Sequence, residues 1–275
     1  MKNQTISEIF ARKSVRVFTE EPVSEEDRRL ILESAAQAPT AGDLQLYHII
    51  DVQSQEEKEI LAERCDHQPF IAKAPLVLVF AADLQRWRTL FAAAGAQTDP
   101  VGEADLILAM QDCVIAAQNA VVAAQSLGIG SCYIGDILEN AEANRELLHL
   151  PKYAVPCAML VMGHPTQQQK ERRKPGRLPL ENIVSVDTYL EPDAGRERAG
   201  LKRLMETEAE ETANACAAPE GTNTNPADRR VIRRAAVTDE AVEARILDTA
   251  ERKFTSDYHR EMLRSVRKML EDWCR

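Results

Sequence analysis

Between about Glu103 and Leu127 the chain reads EADLILAMQDCVIAAQNAVVAAQSL, apolar nearly all round and rich in alanine at 109, 116, 117, 120, 123 and 124. The pattern predicts one long helix, closed by Gly128 as the residue that follows a helix end. A helix that is apolar on most faces must be covered on most of them, so it belongs to the core. Its small side chains let another helix approach closely, and the same feature suits packing against a symmetry mate in a dimer.

The elements that could cover it flank it on both sides. From Ser24, SEEDRRLILESAAQA carries a cap, early acids and apolar residues at helical spacing, and stops at Pro39. Residues 46–52 (LYHIIDV), 74–83 (APLVLVFAAD) and 156–165 (PCAMLVMGHP) are β-rich and bounded by breakers, which predicts three central strands. Strands alternating with helices ordinarily suggest a doubly wound parallel sheet. No GxGxxG follows the first strand, so a dinucleotide site of the Rossmann kind is disfavoured.

A chain of 275 residues, 44% hydrophobic, can bury a full core as one large domain or as a domain with an appendage. Its net charge of -10 argues against nucleic acid and anionic membranes as partners, because both select clustered positive charge. The N-terminus MKNQTISEIF has no apolar leader, no stretch is read as a membrane span, and the expected location is the cytoplasm. Cys65, Cys113, Cys132, Cys157, Cys216 and Cys274 show no CxxC pair and no ligand spacing to histidine. They read as free thiols, with neither a metal site nor a disulfide framework.

Against that acidic background, RKSVRVF (residues 12–18) places Arg12 and Arg16 either side of Ser14, after the capping-box pattern TISE of Thr5 to Glu8. One reading is a solvated, positively charged helix end. The other is a phosphate grip, in which two arginines four apart on a helical turn and a seryl hydroxyl between them share one anion.

Four stretches taken in order, RKSVRVF (12–18), APTAGDLQLYHII (38–50), GIGSCYIGD (128–136) and KPGRLPLENIV (174–184), resemble the nitroreductase family of FMN-dependent oxidoreductases. The resemblance spans about residues 5–190 and is nearest to the larger NAD(P)H-dependent nitro- and flavin-reductase branch with a C-terminal excursion. It implies an α+β chain with a three-layer α-β-α fold, a central mixed, mainly antiparallel sheet, and a homodimer whose flavin site is shared between chains. The organisation read from it is an FMN-binding domain over 1–191, a polar helical excursion and loop over 192–252, and an amphipathic C-terminal helix over 253–275.

The same resemblance implies the cofactor-binding residues. Arg12, Ser14 and Arg16 would hold the FMN phosphate and ribityl chain, Lys13 would offer its backbone near the pyrimidine, and Lys174 and Arg177 would complete a cationic cage. Thr40, Ala41, Gly42, Asp43 and Gln45 would run beside the isoalloxazine ring. Asp43 stands where many relatives have asparagine and is therefore limited to accepting, for example from flavin N3. Gln68 aligns with a glutamine that approaches the flavin in the larger branch; for Gln45 and Gln68 the alternative is an ordinary loop hydrogen bond. Tyr133, Ile134 and Gly135 would line the ring. Gly176 is an insertion relative to KPRLP and shifts Arg177 by one position, a shift that the glycine's flexibility could absorb.

The activity implied is ping-pong transfer from NAD(P)H through FMN to a small acceptor such as a nitroaromatic or quinone, with no side chain needed as acid or base. The rivals are an NAD(P)H:flavin reductase and a flavin-binding sensor or interaction protein without turnover. Cys132 is not read as catalytic, because no cation close in sequence lowers its pKa. Beyond Pro192 the chain turns polar and helix-prone, then loop-like over APEGTNTNPADRR. Phe254, Tyr258, Met262, Val266, Met269 and Trp273 then form one apolar stripe on a terminal helix. The stripe docks either on its own domain or on a partner. Arg260, Arg264, Arg267 and Lys268 on its other faces are either ordinary surface charge or contacts for the 2′-phosphate of NADPH.

Overall fold

Two strands set the architecture because every residue along them is buried: β2 (Leu76–Asp83) and β4 (Ala154–Gly163). In this computed structural model, which describes residues 3–216 and 237–274, with only the backbone for 211–216, they pair at the centre of a four-stranded sheet. The order is β1-β2-β4-β3, with β1 at Tyr47–Asp51 and β3 at Gly130–Ile134. All three pairings are antiparallel, so the parallel sheet suggested by alternating strands and helices does not form. The strand β3 lies in a segment that the sequence presents as loop. Ser14 adds a parallel bridge to its outer edge at Ser131.

The sheet separates two apolar layers. Leu76, Leu78, Phe80 and Ala82 of β2 face one cluster, while Val77 and Val79 face the other. On β4, Cys157 is the extra residue of a register shift opposite Phe80 and Ala81, which lets Cys157 and Leu160 share a face. The first layer holds α2 (Glu25–Ala36) and α6 (Glu103–Ser126); the second holds α3 (Gln55–Arg64) and α4 (Pro69–Ala72). This is a three-layer α-β-α arrangement. The remaining helices are α1 (Gln4–Ala11), α5 (Gln85–Ala94), α7 (Ala141–Leu147), α8 (Gln167–Glu171), α9 (Ala194–Cys216), α10 (Asp239–Phe254) and α11 (Asp257–Cys274).

The alanines of α6 do what their size predicts: Ala109, Ala116, Ala117, Ala120 and Ala124 are completely buried. The helix is long and apolar enough to cross a membrane by length and composition, contrary to the expectation that no stretch is. Its buried line against the sheet assigns it to the core. Not every face is covered, however, because Ile107, Leu108, Val114 and Ile115 stand exposed. Ser24 caps α2 as expected, accepting from Asp27 N, whereas Asn3 rather than Thr5 caps α1, accepting from Ile6 N.

The chain divides into two compact units, Met1–Lys174 with Asp257–Arg275, and Pro175–Ser256. In the second, α9 and α10 are joined by Arg198–Glu243 at 2.8 Å and Lys202–Asp239 at 2.7 Å. A Cβ on Gly176 would clash with Leu204, so that inserted glycine serves close packing on α9. The expected loop over APEGTNTNPADRR and the side chain of Cys216 lie outside the described residues.

In the first unit α11 docks by the expected stripe, with Met269 and Trp273 buried in the α6 layer. Phe254 is not part of it; this residue ends α10 and is 65% exposed. The same side of α11, one and two turns before Met269, supplies the cap of α7. Asn140 N donates to Glu261 Oε1 at 3.2 Å and Ala141 N to Ser265 Oγ at 3.3 Å, satisfying two donors that a helix start leaves open. Arg264 closes the joint with bonds of 2.6 and 2.9 Å to both oxygens of Glu142.

Candidate functional site

The stretch after α1 is extended, not helical. Arg12 is the C-cap of α1, and Val15 N donates to Ser131 O at 3.0 Å, laying residues 14–15 along β3. In extended chain alternate side chains share a side. Arg12, Ser14 and Arg16 are therefore grouped by a period of two, and the helical-turn explanation of their spacing is corrected. Val15, on the other side, is buried and passes so close to Gly130 that a Cβ there would lie 2.6 Å from Val15 Cγ2. Lys13 also turns away, donating to the carbonyls of Lys170, at 2.6 Å, and Arg172 at the end of α8. Burial, with Arg172 close by, lowers its pKa.

The grouped cations lack anionic partners. Among the described residues neither Arg12 nor Arg16 pairs with a carboxylate, and Arg12 Nε is buried with no hydrogen-bond partner. Such a donor is costly to bury unless something accepts from it. Lys174 stands nearby at the end of α1, donating to Phe10 O at 2.9 Å. Arg16 N donates to Gln169 Oε1 at 3.3 Å, and its guanidinium lies 6.0 Å from the centroid of the Phe70 ring.

β3 and the short 3-10 turn Gly135–Leu138 carry the next residues. Tyr133 is half-buried, and its hydroxyl donates to Gln118 Oε1 on α6 at 3.4 Å. Burial pushes its pKa up to about 12, against the pull of Arg12. Ile134 is buried and Gly135 exposed. Gln68 Nε2 donates to Asp136 Oδ2 at 2.7 Å and to Cys65 O at 2.8 Å, so its amide orients this turn. Cys132 has cations nearby in space that the sequence does not reveal, Arg16 and Arg12, yet burial outweighs them and raises the thiol. It is not an activated nucleophile.

A second set gathers around one buried acid. Asp112 of α6 is 2% exposed and accepts from the Thr40 hydroxyl, from Ala41 N at 2.9 Å and from Leu46 N at 3.1 Å. Thr40 Oγ1 in turn accepts from Gln45 N at 2.7 Å, so this hydroxyl is an internal strut rather than a free contact. Between the pinned ends Gly42, Asp43 and Gln45 take φ of +55°, +57° and +50°. For non-glycine residues that left-handed conformation costs about 1–2 kcal/mol each. The side chains of Asp43 and Gln45 are exposed, and the Gln45 amide donates to Ala36 O at 3.5 Å, an ordinary loop hydrogen bond.

Arg12, Ser14, Arg16, Lys174, Gln68, Tyr133, Ile134 and Gly135 thus centre on β3 and its edge, with the backbone of Lys13 running between. Thr40, Ala41, Gly42, Asp43 and Gln45 centre on α6. Arg177 lies in the second unit, donating to Gly176 O at 2.8 Å and Pro175 O at 3.0 Å. Asp112, Asp136, Gln169 and Phe70 were not among the residues expected from the sequence. An aspartate inside an otherwise alanine-rich apolar helix was the one available signal.

Residues 9–164 match the nitroreductase family. The chain belongs to that family. Its class as an oxidoreductase follows from the membership. The Bacillus subtilis (strain 168) protein named FMN reductase, NAD(P)H, is 35% identical over 200 residues, covering 70% of this chain and 76% of that one. The solved structure of Bacillus megaterium NfrA2 has a TM-score of 0.77 at 28% identity and covers 99% of this chain and 98% of its own. The NADPH:FMN oxidoreductase from Vibrio harveyi, solved in complex with NAD+, has a TM-score of 0.69 at 29% identity, covering 79% and 93%.

For a nitroreductase-family chain, the basic face of α11 is largely committed to its own helix and neighbours. Arg264 is held by Glu142 and Glu261, Arg260 by Asp257 at 2.7 Å and Lys268 by Asp272 at 2.5 Å. These contacts favour surface pairing over a nucleotide clamp.

Proposed function

We propose that the chain is a homodimeric FMN enzyme that takes reducing equivalents from NAD(P)H and delivers two electrons to a small acceptor, a nitroaromatic or a quinone. The observation that carries the reading is the buried, unpartnered Nε of Arg12, aligned with Ser14 and Arg16 in a chain of net charge -10. Two guanidinium forks and a hydroxyl are the donor set of a phosphomonoester site, so these residues fit FMN. Arg12, Ser14, Arg16 and Lys174 would hold the phosphate and ribityl end. Gln68, Tyr133, Ile134 and Gly135 would line the ring.

When bound, FMN supplies the two-electron carrier between reductant and acceptor. The chain's share is to fix the ring's orientation, to exclude water along β3, and to place positive charge near the reduced ring. Asp43 presents an acceptor at the tip of the loop, and Gln45 an amide that would exchange its bond to Ala36 O for one to the ring. This loop is anchored on α6, whose exposed Ile107, Leu108, Val114 and Ile115 form an apolar face suited to a second copy. Through that face one protomer would lend its loop to the other's site. The described cysteines are free thiols, in keeping with a reducing cytoplasm.

An NAD(P)H:FMN reductase is the second reading, favoured by the name of the B. subtilis relative. The decisive experiment is anaerobic bleaching of the purified yellow protein by NADPH and by NADH, followed by mixing with a nitroaromatic, a quinone or free FMN. Reoxidation by the first two supports the main reading, and preferential turnover with free FMN the second. A persistently oxidised flavin rejects both, and chromatographic recovery of FAD rejects FMN.

A further inference from the structure

Asp112 is unusual among the buried groups. It sits midway along an apolar helix, and among the described residues no cation pairs with it. An ionised carboxylate in such a place must be hydrogen-bonded or it destabilises the fold. It is satisfied wholly by residues 40–46: the Thr40 hydroxyl and Ala41 N at the entry of the loop, and Leu46 N at its exit. Left alone, three positive φ values within four residues would relax toward commoner conformations, and Asp112 holds both ends against that.

The loop is tied from outside as well. Trp87 Nε1 donates to Leu44 O at 2.8 Å and Arg86 donates to Gln45 O at 3.3 Å, but both contact carbonyls and neither replaces an acceptor for the two N–H groups. Asp112 is the single acceptor common to entry and exit. It also lies on the helix whose Gln118 accepts from Tyr133 on β3. One helix therefore references both groups of predicted cofactor contacts.

We propose that Asp112 is a positioning residue, the buried anchor that presents Asp43 and Gln45 to the isoalloxazine ring while making no contact with it. The proposal rests on the functional reading above, in which that loop flanks the flavin. It separates two tasks: Arg12 and Arg16 set how much FMN is held, and Asp112 sets how the ring is met.

The test uses Asp112→Asn, which keeps shape but replaces one acceptor by a donor facing Thr40 and Leu46 N, together with Thr40→Val and Thr40→Ser. Expected for Asp112→Asn and Thr40→Val are FMN retention within twofold of wild type, a changed visible circular dichroism of the bound flavin, and a kcat/KM lowered tenfold or more. Trp87 emission of the flavin-free protein, read against a Trp87→Phe control, should shift in both. Thr40→Ser, which keeps the hydroxyl, should behave as wild type. Should Asp112→Asn fail to fold, the contrast between Thr40→Val and Thr40→Ser decides alone.

Variants with wild-type dichroism, emission and kinetics on a flavin-loaded protein overturn the positioning role and leave the functional reading standing. Loss of FMN in parallel with activity overturns it too, since Asp112 would then be a binding determinant. A wild-type protein that takes up no FMN overturns the functional reading itself, and this proposal with it.

Discussion

The indole Nε1 of Trp273 donates to the carbonyl oxygen of Gly102 at 3.1 Å, joining the last turn of α11 to the N-cap residue of α6. The ring is 1% exposed and meets Tyr153 edge-on at 5.8 Å. Trp273→Ala should therefore destabilise the protein by about 3–5 kcal/mol, the usual range for emptying such a site. Trp273→Phe retains most of the packing and removes one of two donors to the Gly102 carbonyl, which keeps Leu106 N at 3.4 Å, for about 0.5–1.5 kcal/mol. Denaturant unfolding of both variants checks the order; equal losses would mean that the hydrogen bond contributes nothing.

Arg12→Ala and Arg16→Ala should each reduce retained FMN at least tenfold, whereas Arg260→Ala, paired outward with Asp257, should leave it unchanged. Truncating one partner of a desolvated charge pair, as at the buried Nε of Arg12, costs about 2–5 kcal/mol, while the exposed Arg16 needs only the roughly 1.4 kcal/mol that a tenfold change represents. The ratio of visible to ultraviolet absorbance after dialysis is the measurement.

Glu139 gives a pH dependence with a definite sign. Burial, aided by Asp136, Asp66 and Glu261, raises its pKa from 4.5 to about 7. The folded state then holds a proton that the unfolded chain releases, so the stability from this group is complete below pH 4.5 and is lost as pH rises through 7. Glu139→Gln should match wild type near pH 5 and melt about 2–4 °C higher near pH 8. Thermal scans at both values test it, and a constant offset would remove Glu139 as the cause.

Arg264 acts in the opposite direction on the pH axis. Its bonds hold Glu142 below the ordinary carboxylate range and Glu261 at about 2. Stability from these acids is present above their unfolded value and is lost as pH falls through the folded one. Arg264→Ser should lower Tm by about 3 °C at neutral pH, with a smaller difference near pH 3. It should leave KM for NADPH unchanged, while a raised KM would return the basic face to the nucleotide site.

Leu108→Asp and Ile115→Asp, each placing a charge on the exposed apolar line of α6, should shift a dimer toward monomer in sedimentation velocity at micromolar concentration. An unchanged sedimentation coefficient would move the interface elsewhere.

What the residues announced and what they concealed divide along a physical line. β2, β4 and α6 were legible because burial on several faces demands long apolar runs, and such runs are local properties. β3 was not, since GSCYI is short and follows a glycine, and it becomes a strand only through β4 and Ser14, far away in sequence. For the same reason Arg12 and Arg16 were placed on a helical turn, when Ser131 draws their segment straight. Thr40 looked like a free hydroxyl because its acceptor, Asp112, lies on another element. The stripe over 254–273 breaks after Phe254 because α10 ends there and α11 begins at Asp257.

The hydrogen bond between Trp273 and Gly102 has a kinetic consequence as well. It closes over a sequence separation of 171 residues, with the whole of Pro175–Ser256 between the two parts of the unit it completes. Loop closure entropy over such a span must be overcome before the contact gives anything back, which places α11 late in assembly. During refolding the sheet and α6 would form first, leaving the seat of Trp273 open and apolar for an interval. In that interval the protein is most exposed to aggregation, and a peptide of the α11 sequence, supplied in excess, would be expected to compete for the vacant seat.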